Sequence, residues 1–331
     1  DKGSAFTNIT EPAIELSEIM SKTIPCADKI RLVNSGTEAS ILATRIVRAY
    51  TGKNKILKFE GAYHGFADNL LFNTNYGNAK HWDEYPQATP DSIGIPESLR
   101  NDILIAPYND LDKTRNIILK NRSDIAGIII EPVMRGLETD KSFIKGIKNI
   151  SVKENVPLIF DEVITGYRLS LGGAQEFFGI IPDISIYGKA LGAGYPIGAI
   201  AGNEKIMNFL DPVSADENRI FSIGSFHSNP ISSTAALICI KELQDPQNYQ
   251  KLNKFGNDLR TGLSQIFSQY KIPHFMTGTG SIVEFFFTSN SVSNYRDTLK
   301  TNLNLKSLLS TELPKNFVVG GGGRYTSSIF H

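Results

Sequence analysis

The sequence predicts an α/β protein, with a three-layer αβα domain around a mainly parallel sheet and a smaller α+β domain after it. Three observations predict this: short runs of apolar residues, helical patterns between those runs, and a change of pattern after about residue 229. A strand that is apolar along its whole length is buried on both faces, as in a parallel sheet covered by helices. The 331 residues, 41% of them hydrophobic, are enough for one large and one small domain.

The large domain is predicted from strands and helices that alternate along the chain. Apolar residues recur at helical spacing from Ala39 to Tyr50, where Gly52 ends the pattern, and again over Asp110–Lys120 and Ser142–Asn155. Such βαβ alternation is typical of a three-layer domain. The predicted strands are Lys55–Phe59, Ile103–Ala106, Ile125–Ile130, Pro157–Phe160, Ile184–Tyr187 and Gly198–Ala201.

The last part of the chain has longer helical patterns and fewer strands. We place the domain boundary so that residues 1–244 form the large domain and residues 245–331 the small one. The elements predicted from residue 230 onward are helices over Pro230–Leu243, Tyr249–Tyr270 and Ser293–Leu309 and a strand over Ser281–Thr288.

Composition and charge argue against several classes of function. Lys+Arg and Asp+Glu number 34 each, so nothing indicates a general affinity for nucleic acid or for an anionic membrane. No apolar run approaches the ~20 residues that span a bilayer. Cys26 and Cys239 are the only cysteines and form no CxxC pair, which fits a reducing, cytoplasmic location. The histidines lack ligand spacing, so we expect no metal site.

An acidic pair follows one of the predicted strands. The run Pro157–Phe160 leads directly into Asp161 and Glu162, and the carboxyl ends of parallel strands face the ligand crevice. A carboxylate there can pair with the protonated pyridine nitrogen of pyridoxal phosphate (PLP), whose ring must keep that proton to act as an electron sink. A helix-capping or Mg²⁺-binding aspartate would give the same pattern.

A lysine follows the next strand. Lys189 comes just after Ile184–Tyr187, in a turn that begins with Gly188. We expect such a lysine to be partly desolvated, with the lowered pKa that a Schiff-base nucleophile requires. A surface lysine at a strand end is the alternative, but Asp161 on the preceding strand of the same sheet favours the functional interpretation.

Small polar residues precede the helix that begins near Ala39. Ser35, Gly36 and Thr37 would leave free backbone N–H groups at a helix N-terminus, where the helix dipole also favours a phosphate. An ordinary capping box, formed by Ser35 with Glu38, is the alternative.

An aromatic residue and a histidine follow the strand Lys55–Phe59. Tyr63 is placed to stack on a flat cofactor ring, with His64 beside it. An aromatic at the rim of a crevice, without a ligand, is the alternative. Together the four motifs define one site, in the chain order phosphate cradle, stacking aromatic, ring-nitrogen acid and lysine.

This ordered set resembles the class III aminotransferases, and within them the glutamate-1-semialdehyde aminomutase-like branch. The resemblance implies a fold-type I PLP-dependent transferase. It covers nearly the whole chain and is carried by residues 33–39, 58–65, 106–110, 130–133, 160–163 and 166–175.

The resemblance also implies a role for each site residue. Lys189 would hold PLP as a Schiff base and later move protons, with Asp161 on the pyridine nitrogen. Tyr63 and Val163 would cover the two ring faces. Family homodimers share their active sites, and Ser225 matches a position from which the partner subunit reaches the phosphate. The other implied cofactor-binding residues are Ser35, Gly36 and Thr37 at the phosphate, supported by Glu131 and His64.

The chain departs from the aminomutase pattern near the substrate. Gly323 stands where aminomutases carry a glutamate, and Arg135 and Gly136 stand near the place of an asparagine. The chain as given also lacks the family's N-terminal segment and last helix. These departures favour a transaminase acting on another amino acid or amine and a keto or aldehyde acceptor. Arg324 and Arg135 are candidates to grip a substrate carboxylate, or else surface ion-pair residues.

Two other functions stay open at this point. One is glutamate-1-semialdehyde 2,1-aminomutase itself, and the other is a truncated PLP-binding protein with little activity. A nucleotide-binding α/β protein would need a P-loop or a GxGxxG after a strand, and neither motif is present at a suitable place. The polar segment Asn73–Leu99 is predicted to be a long loop, and it matches a gating loop of the family.

Overall fold

A computed structural model describes residues 3, 8–74, 84–213, 217, 219–315 and 324–326, the last three by their backbone alone. The chain divides into two compact units. The first consists of Asp1–Pro132 with Lys141–Gln244, and the second of Val133–Asp140 with Asp245–His331. The short segment Val133–Asp140 therefore belongs with the C-terminal part of the chain.

The first unit is built on a seven-stranded sheet. The strands are β1 (Lys29–Val33), β2 (Lys55–Phe59), β3 (Ile103–Ala106), β4 (Ile125–Ile130), β5 (Leu158–Asp161), β6 (Ile184–Tyr187) and β7 (Gly198–Gly202). In order across the sheet they are β1-β7-β6-β5-β4-β2-β3, and β7 runs antiparallel to both of its neighbours while the other pairs are parallel. This confirms the predicted α/β fold with a mainly parallel sheet.

Helices cover the sheet and connect its strands. Helix α2 (Gly36–Thr51) begins after Ser35, whose side chain caps it. It ends before Gly52, which has a φ of 66° in the left-handed region that glycine adopts freely. Its buried residues pack on the central strands, and each such Leu or Ile contributes about 1.5–3 kcal/mol by leaving water. The helices of this unit are α1 (Glu11–Thr23), α2 (Gly36–Thr51), α3 (Leu111–Lys120), α4 (Lys141–Glu154), α5 (Gly173–Phe178), α6 (Glu204–Met207) and α7 (Pro230–Leu243).

The opposite face of the sheet carries an aromatic cluster. Phe59 of β2 meets Tyr108 and Phe143 edge to face, with ring centroids 5.8 and 5.6 Å away. Edge-to-face packing is favourable because the positive edge of one ring meets the negative face of another. The core therefore lies on both faces of the sheet, as the fully apolar strands predict.

The second unit joins helices to a three-stranded antiparallel sheet in the order β10-β9-β8. Phe267, Phe285 and Phe287 form the centre of its apolar cluster. Its elements are α8 (Pro246–Gln269), β8 (Phe275–Thr277), β9 (Ile282–Phe286), α9 (Tyr295–Thr298), α10 (Leu303–Lys315) and β10 (Arg324–Thr326).

The single helix predicted over Ser293–Leu309 is wrong, because the structure has two helices there, α9 and α10. The residues between them turn back to the end of β9. Phe287 N donates to Thr301 Oγ1 at 2.8 Å, and Asn302 N donates to Phe287 O at 2.9 Å. These hydrogen bonds to the residue after β9 take the place of helical hydrogen bonds, so the helix is interrupted between Thr298 and Leu303.

Candidate active site

Four strands of the sheet end at the same edge, and each carries a sequence-predicted site residue there. Asp161 is the last residue of β5, Glu131 follows β4, and Lys189 follows β6 by one glycine. Tyr63 and His64 lie in the turn after β2. Because β2, β4, β5 and β6 are parallel, these residues share the crevice at the carboxyl ends of the strands.

A buried aspartate–histidine pair forms the floor of this crevice. His64 Nδ1 lies 2.7 Å from Asp161 Oδ2, and Asp161 Oδ1 accepts from Val163 N at 3.0 Å. Asp161 is only 4% exposed and His64 1%. A carboxylate removed from water needs such partners. His64 Nε2 is buried and has no hydrogen-bond partner within the described part of the chain.

The N-terminus of α2 is both a capping box and an open donor site. Ser35 Oγ accepts from Glu38 N at 3.1 Å, and Glu38 Oε2 accepts from Asn34 N at 2.8 Å. The capping box, which was the alternative to a phosphate site, is therefore present. It leaves room for an anion, because the N–H groups of Gly36 and Thr37 have no acceptor inside their own helix, and a serine hydroxyl can still donate.

Close approach at Gly188 and Gly36 brings the motifs together. A Cβ on Gly188 would lie 3.4 Å from Val163 Cγ1 and 3.5 Å from Gly36 N. A Cβ on Gly36 would lie 2.9 Å from Val163 Cγ2. The turn that carries Lys189, the first residue of α2 and the residue after Glu162 thus meet at one point.

The turn after β2 joins the same cluster. A Cβ on Gly65 would lie 2.5 Å from Thr37 Oγ1, so this turn lies against the start of α2. Tyr63 N donates to Glu131 Oε1 at 2.6 Å, which ties the turn to the end of β4. The ring of Tyr63 is not buried, since the residue is 43% exposed, and it presents an aromatic surface at the crevice.

Lys189 differs from expectation in its surroundings. It is an exposed residue with a φ of 43°, a left-handed conformation that is strained for a residue other than glycine. The expected partial desolvation is absent in the single chain, because Lys189 lies beyond the end of its strand and outside the buried sheet. Strained conformations of this kind cluster at functional sites.

Ser225, Arg135, Arg324 and the long loop are the remaining features predicted from the sequence. Ser225 is exposed, and the nearby His227 Nε2 lies 3.1 Å from Glu38 Oε2. Arg135 has a φ of 52° and belongs to the second unit. The backbone of Arg324 pairs with Glu284 in the β9–β10 ladder, whereas its side chain lies outside the described residues, as do Gly323 and part of the segment Asn73–Leu99.

Glu162 is a buried residue whose role was not predicted from the sequence. The structure places its carboxylate among several hydrogen-bond donors. Its carboxylate accepts from Thr165 Oγ1 at 2.6 Å and from Ala174 N at 2.7 Å. Burial raises the pKa of Glu162, and these hydrogen bonds oppose that rise. A Cβ on Gly173 would lie 2.5 Å from Glu162 Oε2. Gly173 lies in a segment that carries the family resemblance, so it could have indicated a close contact at this point.

The described residues contain neither a cluster of metal ligands nor a helix suited to span a membrane. Among residues 3, 8–74, 84–213, 217, 219–315 and 324–326, no His, Cys, Asp and Glu side chains form a group of three or more that could hold a metal. Within the same described ranges, no helix combines the length and apolarity needed to cross a membrane.

Comparison with known proteins defines the class. The family model described as Aminotransferase class-III matches residues 4–309. The chain is 37% identical over 298 residues to glutamate-1-semialdehyde 2,1-aminomutase 2 of Lachnoclostridium phytofermentans, covering 89% of this chain and 68% of that protein. It is 40% identical over 320 residues to glutamate-1-semialdehyde 2,1-aminomutase of Wigglesworthia glossinidia brevipalpis, covering 95% and 71%.

Solved structures agree on the fold. An omega-transaminase from Sphaerobacter thermophilus superposes with a TM-score of 0.92 at 30% identity, covering 99% of this chain and 75% of that one. A glutamate-1-semialdehyde aminomutase from Pseudomonas aeruginosa PAO1 superposes with a TM-score of 0.85 at 18% identity, covering 100% and 73%, which bears on the fold alone. The fold is that of a fold-type I PLP-dependent enzyme. The chain belongs to the class III aminotransferase family.

The crevice fits PLP, the cofactor of this family. A flat ring with a phosphate on one side and a basic nitrogen on the other needs an anion site and a buried acid in one crevice. The N-terminus of α2 and the 4% exposed Asp161 supply these, and the lysine turn at Gly188 lies beside Gly36. The donor set of the crevice therefore matches the chemistry of the cofactor.

Proposed function

We propose that this chain is a PLP-dependent aminotransferase that moves an amino group between an amino acid or amine and a keto or aldehyde acceptor. The observation that carries the proposal is the meeting of three motifs at one point, where Gly188, just before Lys189, approaches Gly36 of the anion site and Val163. Asp161 and His64 form the buried pair beside them.

Each residue of the crevice has a separate task in this proposal. Lys189 would hold the cofactor through its amine, and Asp161 would hold the proton of the ring nitrogen. When bound, the cofactor supplies an electron sink for the carbon next to the substrate's amino group. Glu131 and His64 fix the turn and the acid. The remaining contacts are Tyr63 and Val163 on the ring faces and Ser35, Gly36 and Thr37 at the phosphate.

Lys189 would also carry the proton that the reaction moves. With cofactor and substrate bound, Lys189 Nζ would be the base that takes and returns the proton of the substrate's Cα. Lys189 follows β6 by one residue, has a left-handed φ of 43° and is exposed. The same nitrogen can therefore remove a proton at one carbon and deliver it at another.

The finer parts of the proposal concern substrate and partner. Arg135 and Arg324 are the candidates to bind a substrate carboxylate, because a guanidinium can grip it with two parallel hydrogen bonds. We also propose a homodimer with a shared active site, in which Ser225 of one subunit reaches the phosphate bound by the other. Ser225 is exposed, which leaves its hydroxyl available for this contact.

Cofactor binding is the direct test. On titration with PLP we expect a visible absorbance band from the cofactor joined to an amine, and Lys189→Ala should lose this band. Lys205→Ala is a matched control, because Lys205 lies in α6, over the ring of Tyr50 and away from the crevice. If the intact chain gives no such band, the enzymatic proposals fail together.

Glutamate-1-semialdehyde 2,1-aminomutase is the second candidate, and it is favoured by the curated relatives that carry this name at 37% and 40% identity. A half-reaction separates the two functions. If pyruvate or 2-oxoglutarate returns the amino form of the cofactor to the aldehyde form, the chain is a transaminase. If only the semialdehyde turns over, the aminomutase candidate prevails.

A further inference from the structure

Lys58 is a fully buried lysine in an interior strand of the sheet. It lies in β2, which pairs with β3 on one side and β4 on the other, and it is 0% exposed. Side chains alternate along a strand, so Lys58 shares its face with Ile56, which packs in the apolar cluster with Leu70 and Phe72. An ammonium group is costly in such a place unless oxygen atoms surround it.

Four oxygen atoms close to Lys58 Nζ come from the segment that follows β2. They are Ala62 O at 3.0 Å, Leu70 O at 2.9 Å, Phe72 O at 2.5 Å and Thr74 Oγ1 at 3.2 Å. The Thr74 hydroxyl also lies 3.0 Å from Ala62 O. Lys58 thus satisfies main-chain carbonyl groups of a segment outside regular secondary structure, where a buried carbonyl needs another partner.

Lys58 is linked to the crevice through a single residue, Ala62. Ala62, bound by Lys58, immediately precedes Tyr63 and His64. Tyr63 N is held by Glu131 after β4, and His64 is held by Asp161 at the end of β5. Three consecutive residues are therefore fixed by three neighbouring strands, and Lys58 is the contribution of β2.

We propose that Lys58 is a positioning residue for Tyr63 and His64, acting through the backbone of residues 62–74. This inference rests on the proposed function, in which Tyr63 covers the cofactor ring and His64 supports Asp161. Without the ammonium group, the carbonyls of Ala62, Leu70 and Phe72 would lose a hydrogen-bond donor, and the backbone would shift to find other donors or water. The turn that carries Tyr63 and His64 would then move relative to the ends of β4 and β5.

The test compares Lys58→Met with Lys55→Met in the full chain. Met keeps the length of the side chain and removes its charge and donors. Lys55 is the first residue of the same strand, and its ammonium group pairs with Asp124 at 3.2 Å. We expect Lys58→Met to weaken PLP binding by about tenfold to a hundredfold, because a displacement of ~1 Å in a positioned group can have an effect of that size. The visible circular dichroism of bound PLP, which reports its orientation, should change as well.

Two further measurements distinguish positioning from general loss of stability. Hydrogen exchange should rise in residues 62–74 of Lys58→Met and stay unchanged in β4 and β5. The effects of Lys58→Met and Tyr63→Ala on PLP affinity should be less than additive, because both act through the same ring. Additive effects, or affinity and circular dichroism equal to those of Lys55→Met, would overturn the inference.

A milder variant decides the matter if Lys58→Met does not fold. Thr74→Val removes the hydroxyl that lies 3.2 Å from Lys58 Nζ and retains the size of the side chain, and it should weaken PLP binding in the same direction. Unchanged affinity and circular dichroism in this variant would count against the inference. In every case the absorbance band lost in Lys189→Ala tests the proposed function separately, since it requires only that PLP binds to the intact chain.

Discussion

At the scale of single residues, the contact between His64 and Asp161 governs the acid that would face the cofactor. The two side chains lie 2.7 Å apart and almost fully out of water. A hydrogen bond to a charged group contributes about 1.5–3 kcal/mol, more than one between neutral groups. His64 is therefore expected to set the orientation of Asp161 without touching the substrate.

Substitution of His64 tests this role. His64→Leu removes the ring nitrogen beside Asp161 and should weaken PLP binding by about tenfold or more. His64→Asn is the matched control, because its side-chain amide can still donate from nearly the position of Nδ1. PLP affinity, measured by the visible absorbance of the cofactor, should remain close to wild type in His64→Asn. Equal affinities in all three proteins would contradict the prediction.

Cys26 illustrates a residue whose burial shows in the pH dependence of stability. Burial raises the pKa of its thiol from 9.0 to about 12, and Sγ lies 3.0 Å from Ser185 Oγ. The folded state holds this proton while the unfolded state releases it above pH 9. The stabilisation is thus present below pH 9 and is lost as the pH rises toward 12.

In Cys26→Ser, which keeps a small polar side chain that does not titrate, the free energy of unfolding should depend less on pH in the alkaline range. Between pH 9 and 11 the free energy of unfolding of the wild type should fall by about 1.4 kcal/mol per pH unit more than that of the variant. Urea unfolding at several pH values measures this difference. Parallel curves for the two proteins would show that Cys26 is not the titrating group.

At the scale of elements, helix α5 depends on a carboxylate from another part of the chain. Glu162 Oε2 accepts from Ala174 N at 2.7 Å, and Glu162 Oε1 accepts from Gln175 N at 3.2 Å. A helix of this length has few bonds of its own, and its first N–H groups need outside acceptors. Because Glu162 stands between Asp161 and Val163, the same contact fixes both of these crevice residues.

Glu162→Gln should destabilise the protein by about 2–4 kcal/mol, because an amide would turn a donor toward buried N–H groups. Glu176→Gln provides the control: Glu176 Oε2 also accepts a backbone N–H, from Gly172 at 2.7 Å, but the residue is exposed. Its effect on chemical unfolding should stay below about 1 kcal/mol. Similar losses in the two variants would contradict the role given to burial.

The strands around the crevice were predictable from sequence, and the contacts between their ends were not. Fully apolar runs such as Ile125–Ile130 mark buried strands regardless of their neighbours, and the structure confirms that element. The edge strand β1 escaped prediction because Lys29 and Arg31 interrupt its apolar pattern. Lys58 and Glu162 escaped because their role depends on distant backbone atoms, which spacing along the chain does not reveal.

At the scale of the whole molecule, exposed apolar residues surround the position proposed to serve a second subunit. Phe221, Ile223 and Phe226 are 68%, 77% and 61% exposed, and Ser225 lies among them. Clustered apolar side chains in water mark surfaces that bind another protein. Their place next to Ser225 supports the proposal that this segment faces the phosphate site of a partner subunit.

Mixed dimers test whether the active site is shared. Lys189→Ala lacks the amine for PLP, and Ser225→Asp would repel the phosphate. If Ser225 acts on the partner's site, a mixed dimer has one site with both defects and one site with neither. Random reassembly of equal amounts gives half mixed dimers, so about a quarter of the wild-type sites should regain the absorbance band and high PLP affinity. If Ser225 acts within its own subunit, every site carries a defect and the mixture binds no better than the separate variants.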